Sequence, residues 1–378
     1  MKVTLVYRGC HPSGGIERVV WEAARHLCGA HDVRVVAAEA RGLPRTVEVL
    51  LTRPSQSVAA FRSEASAAMG PAPGLVVCFG ADCPPADVLV MGSVHRAWVK
   101  AGAAIRVGRV PVPGYARRLL WRHQVRLYLE RQALKAVRGP VVAVSEGVRN
   151  DLHSLYGLPL ARMEVVPNGF DPGQCSPVRR ADLRAAMRAQ LDLSEGDVAL
   201  LLVANEYHRK GLGVLLEAMA FLKEPRLRLL LVGKTAPAAY GARIRQLGLE
   251  DDVRYCGPTD DVALFHAAAD LLVLPTQYEA FGSVIIEALA SGLPVIASKL
   301  AGASAVIKAG RNGLLLADPL DAAELASLLV QGLDPGARRA WSERARDSVT
   351  GYEWSAVMER FEAVLSRAAE QLSVGTRA

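Results

Sequence analysis

The sequence lacks long hydrophobic runs and contains few aromatic residues and few cysteines. No apolar stretch approaches the roughly 20 residues that a membrane-spanning helix requires. The strand-like amino terminus is followed by no small-residue cleavage site of the kind that ends a signal peptide. These absences predict a cytoplasmic protein. The six cysteines among 378 residues show no Cys-x-x-Cys spacing, so we expect buried, reduced thiols rather than a zinc site or disulfides.

Positive charge is concentrated in one segment of the chain. The formal net charge is +7, and residues 96–138 alone carry +10, with Glu130 as their one acid. Such a patch indicates an anionic partner, either a peripheral contact with an anionic membrane or an acidic acceptor. The alternative is a solvated basic helix face. Aromatic residues make up only 6% of the chain and no nucleic-acid-binding module is recognisable, so we expect no nucleic-acid partner.

Short apolar strands alternate with helical stretches along most of the chain. Seven strands are predicted in the first half and five in the second. Near-continuous apolar strands joined by helices indicate an α/β protein with parallel sheets that are covered on both faces. The pattern restarts after the turn-rich stretch Pro167-Asn-Gly-Phe-Asp-Pro-Gly173, which predicts a junction between two domains, 1–170 and 171–353. Two such domains facing each other would place strand ends on both sides of a ligand-binding cleft.

The most informative stretch is Glu279-Ala-Phe-Gly-Ser-Val-Ile-Ile-Glu287, which follows an apolar strand. A strand, a glycine-containing turn and a helix start form an anion site, because backbone N–H groups and the positive end of the helix dipole point toward the ligand. Carboxylates at both ends of the stretch would bind hydroxyl groups. A phosphate beside hydroxyls describes a nucleotide sugar better than a bare nucleotide.

Two basic residues stand where a loop meets a helix in the second half. Arg209 and Lys210 precede Gly211 after the strand predicted at 199–204. Cations beside the positive end of a helix are unfavourable unless an anion is present, so they favour a diphosphate site. The alternative is that both side chains are solvated at the surface.

Two features of the first half are weaker signals. Gly14 and Gly15 open a helix, where paired glycines allow close approach to a ligand, although an ordinary tight turn explains them too. His95 follows the strand at 88–91, where a histidine suits proton transfer or hydrogen bonding, but a structural role fits equally. His123 and His266 lie within predicted helices and are expected to be structural.

Taken together, these motifs resemble the GT-B glycosyltransferases of family 4, which are retaining, metal-independent enzymes. The resemblance covers nearly the whole chain. Its markers are Gly14-Gly15-Ile-Glu-Arg18, Gly92-Ser-Val-His-Arg96, Val144-Ser-Glu-Gly-Val148, Val166-Pro-Asn-Gly169, Arg209-Lys-Gly211, and the stretch 279–287 with Ala288-Leu-Ala-Ser-Gly-Leu-Pro-Val295. It implies two Rossmann-like domains facing a cleft, with a final helix at about 354–378 returning to the first domain.

The resemblance also implies roles in the donor-binding domain. Arg209 and Lys210 would neutralise the diphosphate, and Glu287 would bind the ribose hydroxyls. Glu279 would contact the donor sugar. The backbone N–H groups that help it would be those of three adjacent residues, Phe281, Gly282 and Ser283.

In the first domain, His95 would orient the donor sugar near the reacting centre, and Gly15 would let its loop approach the phosphate and acceptor. One departure from the pattern concerns the diphosphate. Many relatives place an arginine five positions before the loop lysine, where this chain has Asn205, so Arg209 would supply that charge.

The expected function is transfer of a sugar from a nucleoside-diphosphate sugar to an acceptor hydroxyl, with retention, by a front-face mechanism and without a metal or other cofactor. The acceptor would be a glycan, a glycolipid or a small natural product. Two alternatives share the architecture, a nucleotide-sugar 2-epimerase and a non-catalytic nucleotide-sugar binding protein. The basic segment leaves open whether the protein lies peripherally at the inner face of a membrane.

Overall fold

The computed structural model divides the chain into two compact units. The first contains Met1–Asn168 and the segment from Trp354 onward, and the second contains Gly169–Glu353. The structure describes residues 1–54, 57–102 and 113–375, with 113–120, 122, 374 and 375 described by their backbone alone. Arg106 and Arg109 of the basic segment therefore lie outside the described residues.

The first unit is built on a seven-stranded parallel sheet with strand order β5-β3-β1-β6-β7-β8-β9. Its strands are β1 (Lys2–Val6), β2 (Gly9–Cys10), β3 (Asp32–Ala37), β4 (Glu39–Ala40), β5 (Glu48–Leu51), β6 (Leu75–Phe79), β7 (Val88–Met91), β8 (Val141–Ala143) and β9 (Met163–Val165), of which β2 and β4 form a separate pair. Its helices are α1 (Ile16–Leu27), α2 (Val58–Met69), α3 (His95–Gly102), α4 (Pro113–Ala136), α5 (Glu146–Tyr156) and the C-terminal helix (Trp354–Gly375).

The C-terminal helix belongs to the core of the first unit. Its apolar positions Trp354, Val357, Phe361 and Leu365 recur at helical spacing and are buried in one cluster with the central strands and α1. The ring of Phe361 lies 6.1 Å from that of Phe79 at the end of β6. This helix therefore completes the first unit although it follows the second in sequence, as expected.

The second unit is built on a six-stranded parallel sheet with strand order β12-β11-β10-β13-β14-β15. Its strands are β10 (Val198–Val203), β11 (Leu227–Val232), β12 (Val253–Gly257), β13 (Leu271–Leu274), β14 (Val295–Ser298) and β15 (Gly313–Leu316). Its helices are α6 (Pro177–Gln190), α7 (Leu212–Leu222), α8 (Gly241–Leu247), α9 (Ala263–Ala268), α10 (Ser283–Ala290), α11 (Ala322–Leu333) and α12 (Pro335–Ala345).

The strand order of the second sheet reverses between β10 and β13, which are hydrogen-bonded neighbours. The chain runs from β10 outward to β11 and β12, and then from β13 outward to β14 and β15. The loops that follow β10 and β13 therefore diverge at the carboxyl edge of the sheet, and ligands of open α/β sheets bind at such a reversal. The α/β architecture with parallel sheets in two domains is confirmed.

Two expectations drawn from composition can be compared with the structure. All six cysteines are free, and four of them are buried. Among the described helices, none is both long enough and apolar enough to cross a membrane.

Candidate functional site

Two loops meet at the strand reversal of the second unit. Loop 204–211 joins β10 to α7, and loop 275–282 joins β13 to α10. Gly211 has φ +83°, and a Cβ atom there would clash with the carbonyl oxygen of Pro275, so only glycine allows this approach. The buried Thr276 hydroxyl donates to the carbonyl of Arg209 over 3.1 Å. The two loops are thus in direct contact and joined by a hydrogen bond.

A pocket of about 310 Å³ opens between these loops. Ser283 and Val284, the first residues of α10, lie on its wall, so the positive end of that helix faces the pocket. The residues that line it are Val203, Ala204, Asn205, Glu206, Arg209, Lys210, Glu279, Gly282, Ser283 and Val284. The structure thereby brings together five of the predicted site residues, Arg209, Lys210, Glu279, Gly282 and Ser283.

The two cations of the pocket are paired with carboxylates. The ammonium of Lys210 donates to Oε2 of Glu279, and Nη1 of Arg209 lies 3.2 Å from the same oxygen. Arg209 also donates from Nε to Glu206 over 3.0 Å and from Nη1 to the carbonyl of Tyr278 over 2.6 Å. The cations do not stand alone in the pocket, and a ligand phosphate would have to share them with these carboxylates.

Burial and charge act in opposite directions on Glu279. Burial raises the pKa of its carboxyl group, but Lys210 and Arg209 together outweigh burial and hold that pKa below its ordinary value. Burial likewise lowers the pKa of Arg209, which Glu279 and Glu206 raise above its ordinary range. Near neutral pH, Glu279 is therefore a carboxylate and Arg209 is a cation.

The segment that carries Glu279 is fixed by backbone contacts. Its carbonyl oxygen accepts a 2.8 Å hydrogen bond from the N–H of Gly302, and the carbonyl oxygen of Phe281 accepts one of 2.7 Å from Ala303. Gly282 has φ +91° and is the N-cap residue directly before α10, which lets the chain turn into the helix. Phe281 is buried and is absent from the described lining of the pocket, so the predicted contact of its backbone N–H stays a prediction.

Glu287 and Asn205 lie around the predicted anion site. Glu287 is half-buried on α10, just over one turn beyond Ser283, and is absent from the described lining of the pocket. Asn205 lines the pocket, and its side-chain oxygen accepts a 2.8 Å hydrogen bond from the N–H of Lys234. Asn205, at the position where the resemblance led us to expect an arginine, therefore joins two loops of the second unit.

The glycine pair belongs to the first unit. Gly14 has φ +100°, which favours glycine, whereas Gly15 is the N-cap residue directly before α1 and has φ −92°. A Cβ atom at Gly15 would meet no atom within 4 Å among the described residues, so packing does not require glycine at this position. The backbone conformation therefore favours glycine at position 14. At position 15, the predicted reason for glycine is that a ligand could approach the backbone closely.

His95 begins α3 in the first unit and is held by two residues of α4. Its Nε2 lies 3.1 Å from Nδ1 of His123, and its backbone N–H donates to Glu130 over 2.6 Å. Burial, followed by Arg126 and His123, lowers the pKa of His95 to about 4. The imidazole is therefore neutral near pH 7 and serves as a hydrogen-bonding group rather than a cation.

Sequence reasoning missed three residues that shape these sites. Glu206 pairs with Arg209 three positions later, a spacing that could have indicated it. Glu130 is the single acid of the basic segment 96–138, and this isolation was the one feature of the sequence that could have indicated its role. His123 was expected to be structural, and it contacts His95. His266 is buried in α9 and hydrogen-bonded to Ser291, in keeping with that expectation.

Among the described residues, no group of three or more His, Cys, Asp or Glu side chains is arranged to hold a metal ion. The charged groups that line the pocket in the second unit are two cations and two carboxylates.

The architecture matches several solved glycosyltransferases. The crystal structure of WaaG, a glycosyltransferase involved in lipopolysaccharide biosynthesis, aligns with TM-score 0.81 and 24% identity over 96% of this chain and 99% of that one. The Anabaena protein HepE in complex with UDP aligns with TM-score 0.71 and 20% identity over 97% of this chain and 100% of that one. The fold is therefore that of the GT-B glycosyltransferases.

Two family models match consecutive parts of the chain. "Glycosyltransferase Family 4" matches residues 13–174 and "Glycosyl transferases group 1" matches residues 184–348. A D-inositol 3-phosphate glycosyltransferase of Kineococcus radiotolerans is 31% identical over 75% of this chain and 67% of its own length. The chain therefore belongs to the group 1, family 4 glycosyltransferases, as the resemblance implied.

A second relative extends the comparison. The lipopolysaccharide glucosyltransferase WaaG of Escherichia coli K12 is 30% identical over 52% of this chain and 54% of its own length. The chain spans about half to two thirds of the length of these curated relatives.

Proposed function

We propose that this protein is a retaining glycosyltransferase that moves a sugar from a nucleoside-diphosphate sugar to an acceptor hydroxyl without a metal ion. The observation that carries the proposal is the pocket at the strand reversal of the second unit. There Arg209, Lys210 and the positive end of α10 converge beside the carboxylate of Glu279. Two protein cations and a helix terminus match a diphosphate, and a carboxylate matches sugar hydroxyls.

In the proposed reaction the bond between the anomeric carbon and the diphosphate oxygen breaks, and the acceptor oxygen bonds to that carbon on the same face. The acceptor proton passes to the leaving diphosphate. Negative charge grows on the diphosphate as the bond breaks, and Lys210 and Arg209 stabilise it most strongly at that stage. Since these cations occupy the place where a metal would otherwise neutralise the diphosphate, no divalent ion is required.

Other roles extend the proposal from the family resemblance. Glu287 binds the ribose hydroxyls, and the N–H groups of Phe281, Gly282 and Ser283 assist Glu279 with the donor. His95 orients the donor sugar, and Gly15 gives a phosphate and the acceptor access to the backbone.

The partners follow from the same proposal. HepE has been solved with UDP and with UDP-glucose, and the E. coli relative is a lipopolysaccharide glucosyltransferase. These names support a nucleotide-sugar donor and a glycan or glycolipid acceptor, with a small natural product as the remaining class. We place the protein in the cytoplasm, in reversible contact with the inner membrane face.

A thermal-shift panel of UDP, GDP, dTDP and ADP, each with and without sugar, tests the proposed donor class. A ligand at 100 times its Kd stabilises by about 2.7 kcal/mol. The preferred donor is then incubated with candidate acceptors, and NMR determines the anomeric configuration of the product. We expect retention, and about 100-fold slower transfer by Lys210→Ala.

The control is Lys308→Ala, because the ammonium of Lys308 contacts only the carbonyl of Ala305 among the described residues. Other outcomes would contradict the proposal. Isomerisation of the sugar without an acceptor identifies a 2-epimerase, binding without turnover of any donor identifies a binding protein, and an inverted product excludes the front-face route.

A further inference from the structure

The ring of His95 is held by a second histidine. Its Nε2 lies 3.1 Å from Nδ1 of His123, with the two ring planes inclined by 28°. Trp98 packs beside both imidazoles, with its centroid 5.6 Å from that of His95 and 5.3 Å from that of His123. In the part of the chain that the structure describes, Nε2 is the ring nitrogen of His95 that has a hydrogen-bond partner.

The backbone of His95 is held from the same helix. Glu130 is 3% exposed, and its carboxylate accepts hydrogen bonds from the backbone N–H groups of His95, over 2.6 Å, and Arg96, over 3.2 Å. The hydroxyl of Tyr156 also donates to this carboxylate. His123 and Glu130 are seven residues apart and so share one face of α4. One helix face therefore fixes both the start of α3 and the ring of its first residue.

The protonation of the pair limits how it can bond. Burial, followed by Arg126, lowers the pKa of His123 as well as that of His95, so both rings are neutral near pH 7. A neutral imidazole carries one donor and one acceptor nitrogen. Either His95 donates from Nε2 or it accepts there, and in both arrangements Nδ1 is the nitrogen left for a ligand. The partner thus decides which edge of His95 is available.

We propose that His123 is a positioning residue, which occupies Nε2 of His95 and leaves the Nδ1 edge as the edge that meets the donor sugar. The role of the Nδ1 edge in transfer rests on the proposed function. The hydrogen bond by which His123 holds the ring of His95 does not depend on that function. His123 touches no reacting atom in this scheme and acts through His95.

Three substitutions distinguish a hydrogen-bonding role of the His123 side chain from the simple filling of space. Asparagine at position 123 places an amide group where Nδ1 of the histidine lies, glutamine places it about one bond further out, and leucine removes it. We expect His123→Leu to lower kcat about tenfold with little change in the donor KM, the loss of one hydrogen bond. His123→Asn restores most of that loss, and His123→Gln restores less.

A spectroscopic readout tests the contact without any transfer assay. Ring nitrogen chemical shifts of ¹⁵N-labelled His95 at pH 7 should report one fixed tautomer in the wild type and in His123→Asn, and a mixture of tautomers in His123→Leu. Identical ring shifts in all three proteins would overturn the proposal. If no donor and acceptor pair reacts, the proposed function fails, and these shifts still decide whether His123 holds His95. If His123→Leu shows the expected mixture of tautomers but an unchanged kcat, His123 holds the ring of His95, and the Nδ1 edge has no role in transfer.

Discussion

Lys210 donates its ammonium hydrogen bond to Glu279, and Arg209 reaches the same carboxylate oxygen over 3.2 Å. The carboxylate therefore screens the two cations that the proposed reaction requires for the diphosphate. In the proposed reaction, we expect a bound diphosphate to draw these cations toward itself and to leave Glu279 free to accept hydrogen bonds from sugar hydroxyls. On this proposal, Glu279 would couple recognition of the sugar to the charge of the leaving group.

This coupling predicts opposite effects of Glu279→Gln on binding and on transfer. Glutamine keeps the shape but not the charge, so the two cations gain attraction for the bare nucleoside diphosphate. We expect its Kd to stay equal or to fall, while kcat falls about 10- to 100-fold through the loss of a charge-assisted hydrogen bond. Isothermal titration with the nucleoside diphosphate and initial-rate kinetics measure the two quantities. Weaker diphosphate binding in this variant would show that Glu279 orders the cations rather than screens them.

Glu287 is predicted to act on the nucleotide alone. Removal of its carboxylate by Glu287→Ala takes away a partner of the ribose hydroxyls, worth about 1.5–3 kcal/mol for a charge-assisted hydrogen bond. The Kd of the nucleoside diphosphate should rise about 10- to 100-fold, in contrast to Glu279→Gln. Titration of both variants side by side provides the comparison, and an unchanged Kd removes Glu287 from the site.

The strands of the two sheets were predictable because parallel strands covered on both faces are short apolar runs. The strand Gly313–Leu316 was missed, since three leucines after a glycine carry no periodicity that separates strand from loop. Helix α3 was missed for a different reason. The backbone N–H of its first residue, His95, bonds to Glu130, which lies 35 residues later in sequence, and such a distant contact is not visible in the local sequence.

The same distinction applies to the site. The sequence predicted Arg209, Lys210 and Glu279 as site residues because each stands near the boundary of a strand or helix, and the structure places all three in one pocket. Their mutual pairing was not found, because it depends on the approach of two loops about 70 residues apart at Gly211. The contact between His95 and His123 was not predicted either, because it joins two different helices, α3 and α4. The sequence therefore indicated which residue types belong to the site, whereas the contacts between them became visible only in the folded structure.

Removal of divalent metal should leave transfer intact. Lys210, Arg209 and the positive end of α10 already supply positive charge to the proposed diphosphate site. We expect the initial rate in excess EDTA to equal the rate with added Mg²⁺ or Mn²⁺. Because the enzymes of a coupled assay can themselves require a metal ion, product should be measured directly by chromatography. Loss of activity in EDTA with recovery on addition of metal would contradict the metal-independent mechanism.

Helix α4 exposes aromatic and basic side chains along one stripe. Trp121 is 71% and Tyr128 62% exposed, and Arg131 and Lys135 are exposed on the same side at helical spacing. Each basic residue near an anionic surface contributes about 1 kcal/mol, and salt screens this attraction. We therefore expect the protein to float with phosphatidylglycerol vesicles at low salt and to remain in solution at high salt.

Two substitution sets test whether this stripe is responsible. Arg131→Ser with Lys135→Ser should reduce flotation, as should Trp121→Ser. The matched control is Arg311→Ser with Arg339→Ser, which removes two exposed charges from the second unit. Recovery of the wild-type protein in the soluble fraction at low salt would favour a soluble acceptor and a merely solvated helix face. Three further arginines of the basic segment, Arg117, Arg118 and Arg122, belong to the part of α4 that is described by its backbone alone.

The last prediction concerns the stability of the second unit in mild acid. Burial, followed by the nearby Arg180, lowers the pKa of His266 to about 3, while its Nδ1 lies 3.3 Å from the hydroxyl of Ser291. Because the folded-state pKa lies below the unfolded value of about 6.5, the unfolded chain binds the proton more tightly. The contribution of His266 is complete above pH 6.5 and is lost as the pH falls toward 3. Between pH 7 and pH 5 the free energy of unfolding should fall by about 2 kcal/mol from this residue alone. His266→Asn keeps a polar group near Ser291 but does not titrate, so urea unfolding of both proteins at the two pH values isolates the effect. An equal loss of stability in wild type and variant would show that His266 is protonated in the folded unit.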